Sequence, residues 1–233
     1  MVKEKITMWV NTLSDVVFPP VCACCGQLTE QRADVICRHC LHYRFETDPE
    51  TESLILPESV LFRYSLWSFD KLGYLQDLLH KLKYDHLAGV GHRLGTETGK
   101  RMMQSPRIGL SDNDIQNSVL VPVPLHKKRY RKRGYNQSMI IANGISESTS
   151  IPVVPEETVV RVKNTTTQTG LNSDERIKNL SGAFRVKLPE NLRGRSPIIV
   201  DDVYTTGSTT FELAGVLFEL TGNRCGIITV ART

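Results

Sequence analysis

Two hydrophobic rhythms alternate along most of this chain. Leu72, Leu75, Leu78, Leu79 and Leu82 recur every three or four residues, the spacing of one face of a helix. Phe211, Leu213, Ala214, Val216, Leu217 and Leu220 form a second such stripe over 208–220, and 136–146 reads as a third helix. Residues 61–69, 118–123, 197–200 and 225–230 read instead as strands, and 153–162 as extended or irregular. Strands with continuous apolar runs are buried on both faces. Alternating with helices, they predict an α/β domain built on a parallel sheet with helices on both faces.

The first sixty residues are patterned differently. Ile6, Trp9, Val10, Leu13, Val16 and Val17 sit at roughly helical spacing, and Pro19 and Pro20 stop the run. Cysteines dominate 22–40. Residues 46–53 are acidic and polar and contain Pro49, a linker composition. The expected organisation is a helix and cysteine module over 1–45, a linker over 46–60 and the α/β domain over 61–233.

Composition narrows the class. Hydrophobic residues at 40% and charged residues at 23% fit a soluble globular protein. No apolar run approaches the ~18–20 residues of a membrane span. Asn11, Thr12, Ser14 and Asp15 interrupt the N-terminal segment, so no secretory signal is expected and the protein is expected to stay in the cytoplasm. In that reducing compartment, clustered cysteines point to metal more than to disulfides.

Cys22 and Cys25 form one C-x2-C pair and Cys37 and Cys40 a second, with eleven residues between the pairs. A two-residue gap lets one tight turn offer two sulfurs to the same ion, and four thiolates suit the tetrahedral preference of Zn²⁺. Such a set leaves no position for water, so the zinc expected here is structural. Cys24, His39 and His42 are close enough in sequence to exchange with a ligand. Cys225 lies alone in an expected strand, where a buried, inert thiol is the simpler reading.

The densest chemical signal is the stretch 198–210. An apolar strand ends in Asp201 and Asp202, and a hydroxyl-rich turn of Thr205, Thr206, Gly207, Ser208 and Thr209 leads into a helix. Ligands of open α/β sheets bind at the carboxyl ends of strands. Backbone N–H groups and hydroxyls gathered at a helix N-terminus favour a phosphate. The two carboxylates would repel phosphate, but they can accept from sugar hydroxyls or hold Mg²⁺ through water. No Gly-Lys-Ser/Thr is present, so this is not a Walker loop. Two acids followed by Thr-Thr-Gly-x-Thr resemble the signature of type I phosphoribosyltransferases. In that family the acids bracket the ribose hydroxyls, and the loop grips the 5′-phosphate of phosphoribosyl pyrophosphate.

Two further segments are unusual. Six of the seven residues over 127–133 are Lys or Arg, directly after a strand: Lys127, Lys128, Arg129, Arg131, Lys132 and Arg133. This basic loop could hold a diphosphate, or it could track a nucleic-acid backbone with Tyr130 and Tyr135 as stacking faces. The span 161–184 is polar and Thr-rich, with Arg161, Gln168 and Arg176. It reads as a flap able to close over a charged ligand.

Together these segments resemble the ComF family of competence-associated, phosphoribosyltransferase-like proteins, over nearly the whole chain. The resemblance rests on the zinc module, Lys83-Tyr84, Pro122-Val-Pro-Leu before the basic stretch, Arg133-Gly-Tyr-Asn-Gln, the flap pattern, and Asp201-Asp202 with the Thr/Gly turn. Lys163 stands where the family pattern has Arg, which keeps the charge but loses the fork geometry. The resemblance implies a type I phosphoribosyltransferase-like fold behind a zinc-ribbon-like module. It also implies binding of phosphoribosyl pyrophosphate with Mg²⁺, and handling of incoming single-stranded DNA beside a competence helicase partner. An active phosphoribosyltransferase of nucleotide or related metabolism is the alternative. The sequence names no acceptor for it.

Overall fold

The computed structural model describes residues 19–31, 34–49, 55–106, 108–163 and 182–233. The N-terminal helix expected over 3–18 lies outside them, as do Gln168 and Arg176 of the flap.

Four strands make the central sheet: β1 (Val60–Ser68), β2 (Ser118–Pro122), β5 (Ser196–Tyr204) and β6 (Cys225–Arg232). Their order is β1-β6-β5-β2, and every pairing is parallel. Two short strands, β3 (Val159–Arg161) and β4 (Phe184–Val186), pair antiparallel in a separate ribbon. Arg161 is the last residue of β3. A single parallel bridge from Val153 to Leu120 continues the main sheet past β2.

Side chains of β5 alternate between two cores, as the two-residue period of a strand requires. Ile198 and Val200 join helices α2 (Tyr74–Tyr84), α3 (Ala88–Gln104) and α6 (Gln137–Thr149) on one face. Ile199 joins α7 (Ser208–Thr221) on the other. Helices therefore cover both faces of a parallel sheet, as the alternating sequence pattern predicts.

Helix α3 breaks the usual reading of glycine. It carries Gly89, Gly91, Gly95 and Gly99, which weaken an isolated helix. Their reason is tertiary. A Cβ at Gly95 would lie 2.2 Å from the carbonyl oxygen of Ile141, and one at Gly144 would lie 2.2 Å from that of His92. Helices α3 and α6 thus meet backbone to backbone, and the missing side chains are what permit it.

The cysteine module is welded to the domain. Cys22, Ile36, Cys40, Leu41 and Phe45 share one core with Leu75, Leu79 and Leu82 of α2. The Lys81 ammonium donates to the Ala23 carbonyl inside the first cysteine turn at 2.8 Å. Residues 46–48, expected within a linker, pair onto the edge of β1 instead. Ser68 N–H donates to the Glu46 carbonyl and Asp48 N–H to that of Leu66, while Arg232 pairs with Asp48 at 2.8 Å.

Candidate functional site

Strand β5 delivers the two acids to the carboxyl edge of the sheet. Asp202 is buried, and Asp201 is partly exposed beside it. Each has its own partners. Ser138 Oγ donates to Asp201 at 2.9 Å, and the Asp202 backbone N–H also donates to Asp201. Asp202 is met by the Lys83 ammonium at the end of α2 and, at 3.4 Å, by the Gln137 amide at the start of α6.

The environment splits the pair electrostatically. Burial, then repulsion from Asp202, pushes the Asp201 carboxyl up to about 7. Burial also works against the Asp202 carboxylate, but Lys83 more than offsets it and holds Asp202 below the usual range. One acid is poised near neutrality beside one held ionised, an arrangement common at functional sites.

The chain then turns sharply. Gly207 adopts φ +74°, and a Cβ there would stand 2.5 Å from Tyr204 Oη and 2.7 Å from the Phe211 ring. Glycine is required on both counts. Helix α7 begins at Ser208 with no side chain capping its first turn, so the leading N–H groups point out of the helix. Thr205 and Thr206 are exposed on the turn, and the Thr206 and Ser208 hydroxyls lie 2.7 Å apart. Acids, hydroxyls and free helix donors therefore meet at one edge.

The basic segment corrects the expectation of a loop: 127–133 is helix α5 (Lys127–Arg133). Lys and Arg are good helix formers. His126 caps the start, accepting from the Lys128 N–H, and Gly134 closes the end in the left-handed region. Arg131, Lys132 and Arg133 fall in the last turn, where the helix dipole favours cations. Arg129 and Arg133, four residues apart and half-buried, share one side of the helix. Arg133 donates to Gln137 at 2.7 Å and stabilises the Asp202 carboxylate. Burial and the Arg129 charge hold the Arg161 guanidinium below its usual range, and Asp201 partly offsets this. Lys127, Lys128 and Arg131 are exposed. Tyr135 is not a stacking face, because its hydroxyl donates to the Leu82 carbonyl and its ring packs on the core.

The Sγ atoms of Cys22, Cys25, Cys37 and Cys40 all lie within 4.8 Å of one another. The Cys22–Cys40 and Cys25–Cys37 pairs are 3.9 Å apart. A tetrahedron with 2.3 Å metal–sulfur bonds has edges of about 3.8 Å. The donor set therefore fits a metal such as Zn²⁺. Gly26, at φ +74°, supports the first turn. Burial raises the Cys22 thiol, but the Cys37, Cys25 and Cys24 N–H groups outweigh it and bring the thiol to about 7. Cys24, His39 and His42 stay outside the group. The His42 ring meets Arg101 at 2.9 Å, and His39 packs on Tyr43. Cys225 is buried, and burial pushes its thiol up to about 12.

No family model matches the sequence. Among curated proteins, the chain is 35% identical over 146 residues to the DNA utilization protein YhgH of Escherichia coli K12. It is 40% identical over 103 residues to competence protein F of Haemophilus influenzae, 44% of each chain. It is 24% identical over 216 residues to competence protein ComFC of Bacillus subtilis, covering 93% of this chain and 79% of that one.

The chain is similar to competence and DNA utilization proteins.

The match spans 61% of the Escherichia coli relative's length. A solved structure titled as the allosteric regulatory enzyme of purine biosynthesis aligns at TM-score 0.39 and 15% identity, over 60% of this chain and 26% of that one. No helix among the described residues is long and apolar enough to cross a membrane.

In this chain, the side chains that organise the acid pair are ones the sequence hides. Lys83 was marked only by its place in the family pattern. Gln137 and Ser138, both buried, look like ordinary helix-start residues. A signal for them was available. Asn136 caps α6 immediately after the basic segment, which aims the first turn of α6 back at the strand ends.

Proposed function

We propose that this protein is a member of the ComF family, binds phosphoribosyl pyrophosphate at the edge formed by β5 and α7 and acts on single-stranded DNA during uptake. One observation carries the reading: Asp201 and Asp202 run directly into an uncapped, hydroxyl-rich helix start with Gly207 in the left-handed region. The acids would accept from the ribose hydroxyls. The Thr205–Thr209 segment would receive the 5′-phosphate. Arg129 and Arg133 would face the diphosphate, which enters with Mg²⁺. Arg161, Gln168 and Arg176 would belong to the flap that covers it. The four-cysteine cluster would hold a structural zinc and supply no chemistry. DNA handling draws on the exposed cations of α5 and on the names of the relatives, one a DNA utilization protein and two competence proteins.

A second reading, active phosphoribosyl transfer, is favoured by Arg133, whose charge reaches the acid pair, since a departing diphosphate needs its charge neutralised. A nitrogen nucleophile would then form a bond to the ribose anomeric carbon as the bond to pyrophosphate breaks, a step helped mainly by positioning and electrostatics.

Calorimetric titration with phosphoribosyl pyrophosphate and Mg²⁺, with and without single-stranded DNA, tests both. Binding without pyrophosphate release, altered by DNA, supports the first reading. Release supports the second. The double variant Asp201→Asn, Asp202→Asn is expected to lose binding; because it also leaves Lys83 without its partner, circular dichroism must show that it is still folded at the assay temperature. Unchanged affinity would remove the site from 201–209.

A further inference from the structure

Helix α5 has a second side that the sugar-phosphate reading does not use. Lys127 and Arg131, four residues apart, lie opposite Arg129 and Arg133 on the helix and line a cleft of about 360 Å³ against strand β3. That volume falls in the range of small-molecule sites. The apolar part of the lining is Leu125, Val159, Val160 and the ring of Tyr130. Tyr130 is 40% exposed, so its ring is open to the cleft rather than absorbed in the core. Two carboxylates, Glu156 and Glu157, and the Arg161 guanidinium complete it. Arg161 also lies within electrostatic reach of Asp201.

These groups select a chemistry. An open aromatic face between aliphatic side chains suits a flat π-system. Exposed cations on the same helix suit phosphates on either side of it. Carboxylates in the lining suit exocyclic amines, which cytosine and adenine carry and thymine lacks. We infer that this cleft takes one unstacked nucleobase of a single-stranded nucleic acid, stacked on Tyr130, with the flanking phosphates on Lys127, Lys128 and Arg131. The inference rests on the DNA-handling reading above and deepens it. The strand is held by a base as well as by its backbone, beside the sugar-phosphate site and distinct from it.

The test uses the full chain and fluorescence anisotropy with labelled single strands of one length: oligo-dC, oligo-dT and a sugar–phosphate strand without bases. The wild type is expected to prefer oligo-dC over the baseless strand by roughly tenfold, the scale of one base–aromatic stack, with oligo-dT between them. Tyr130→Ala should abolish that preference and leave affinity for the baseless strand and the thermal unfolding unchanged. Tyr130→Phe, which keeps the ring, should retain the preference. A Tyr130→Ala variant that still prefers oligo-dC overturns the cleft assignment. Equal wild-type binding of all three strands overturns it while leaving DNA handling intact. A wild type that binds no strand at low salt overturns both readings.

Discussion

The Lys83 ammonium lies against the Asp202 carboxylate and ties the last turn of α2 to the end of β5. The Lys83 side chain is 25% exposed and that of Asp202 8%, so solvent does little to screen the pair. Burial disfavours both charges, and each offsets that cost for the other. Removing one partner from a buried pair leaves the other uncompensated, typically at about 3–5 kcal/mol. Lys83→Met should therefore destabilise the fold on that scale in urea unfolding. Adding Asp202→Asn should restore much of the loss, because the orphaned charge is gone. A double variant no more stable than Lys83→Met would show that the lysine acts through packing alone.

Asp201 makes the opposite contribution to pH dependence. Its folded carboxyl is raised to about 7, whereas the unfolded group ionises near 3.8. Between those values the native state holds more protons than the unfolded one, so this group makes stability fall as pH rises through that window. Asp202 is depressed, so its contribution is present above its unfolded value and is lost only in more acidic solution. Asp201→Asn should flatten the decline between about pH 5 and about pH 7.5. Urea midpoints at the two pH values measure it. An equal decline in wild type and variant would assign the pH dependence to other groups.

Much of this architecture was legible because burial writes itself into pattern. The four sheet strands and helices α2, α6 and α7 follow from apolar runs and stripes, with ends shifted by only a few residues. Helix α3 was not legible, because its glycines read as breakers until α6 is known to lie against them. The basic segment reads as a loop because its charge outweighs its helix propensity. At the site, Asp201, Asp202 and Gly207 announce themselves through chemistry and a strained turn. Ser138, Gln137 and Lys83 are ordinary residue types that matter only through distant partners. Residues 46–48 looked like linker because an edge pairing through backbone atoms leaves little trace in side-chain composition.

The glycine interface between α3 and α6 gives a controlled comparison. Gly95→Ala would place a methyl 2.2 Å from a backbone oxygen that cannot swing aside. The helices must then separate, at a cost of about 1–3 kcal/mol or more. Gly215, within α7, has nothing within 4 Å of where its Cβ would be. Gly215→Ala should stabilise by about 0.5–1 kcal/mol through helix propensity. Thermal unfolding of both variants reads the difference. If Gly95→Ala is as harmless as Gly215→Ala, the close helix approach is not required.

The cysteine cluster predicts a measurable metal and a measurable consequence of removing it. Four sulfurs at tetrahedral spacing imply about one zinc per chain in freshly prepared, reduced protein. In the bare site, burial and the neighbouring thiols Cys24 and Cys37 push the Cys40 thiol up, a crowding that a divalent cation would relieve by holding all four groups as thiolates. Ile36, Leu41 and Phe45, carried by this turn, belong to the core that also holds α2. Stripping the metal should therefore lower the unfolding temperature of the whole α/β unit, and Cys40→Ser should do the same. Lys81, on the helix whose last turn also carries Lys83, bonds the cysteine turn, so weaker phosphoribosyl pyrophosphate binding is expected with it. Metal analysis and calorimetry before and after a chelator settle both points. A metal-free chain that unfolds at the same temperature as the isolated protein would reduce the cluster to four free thiols without a structural metal.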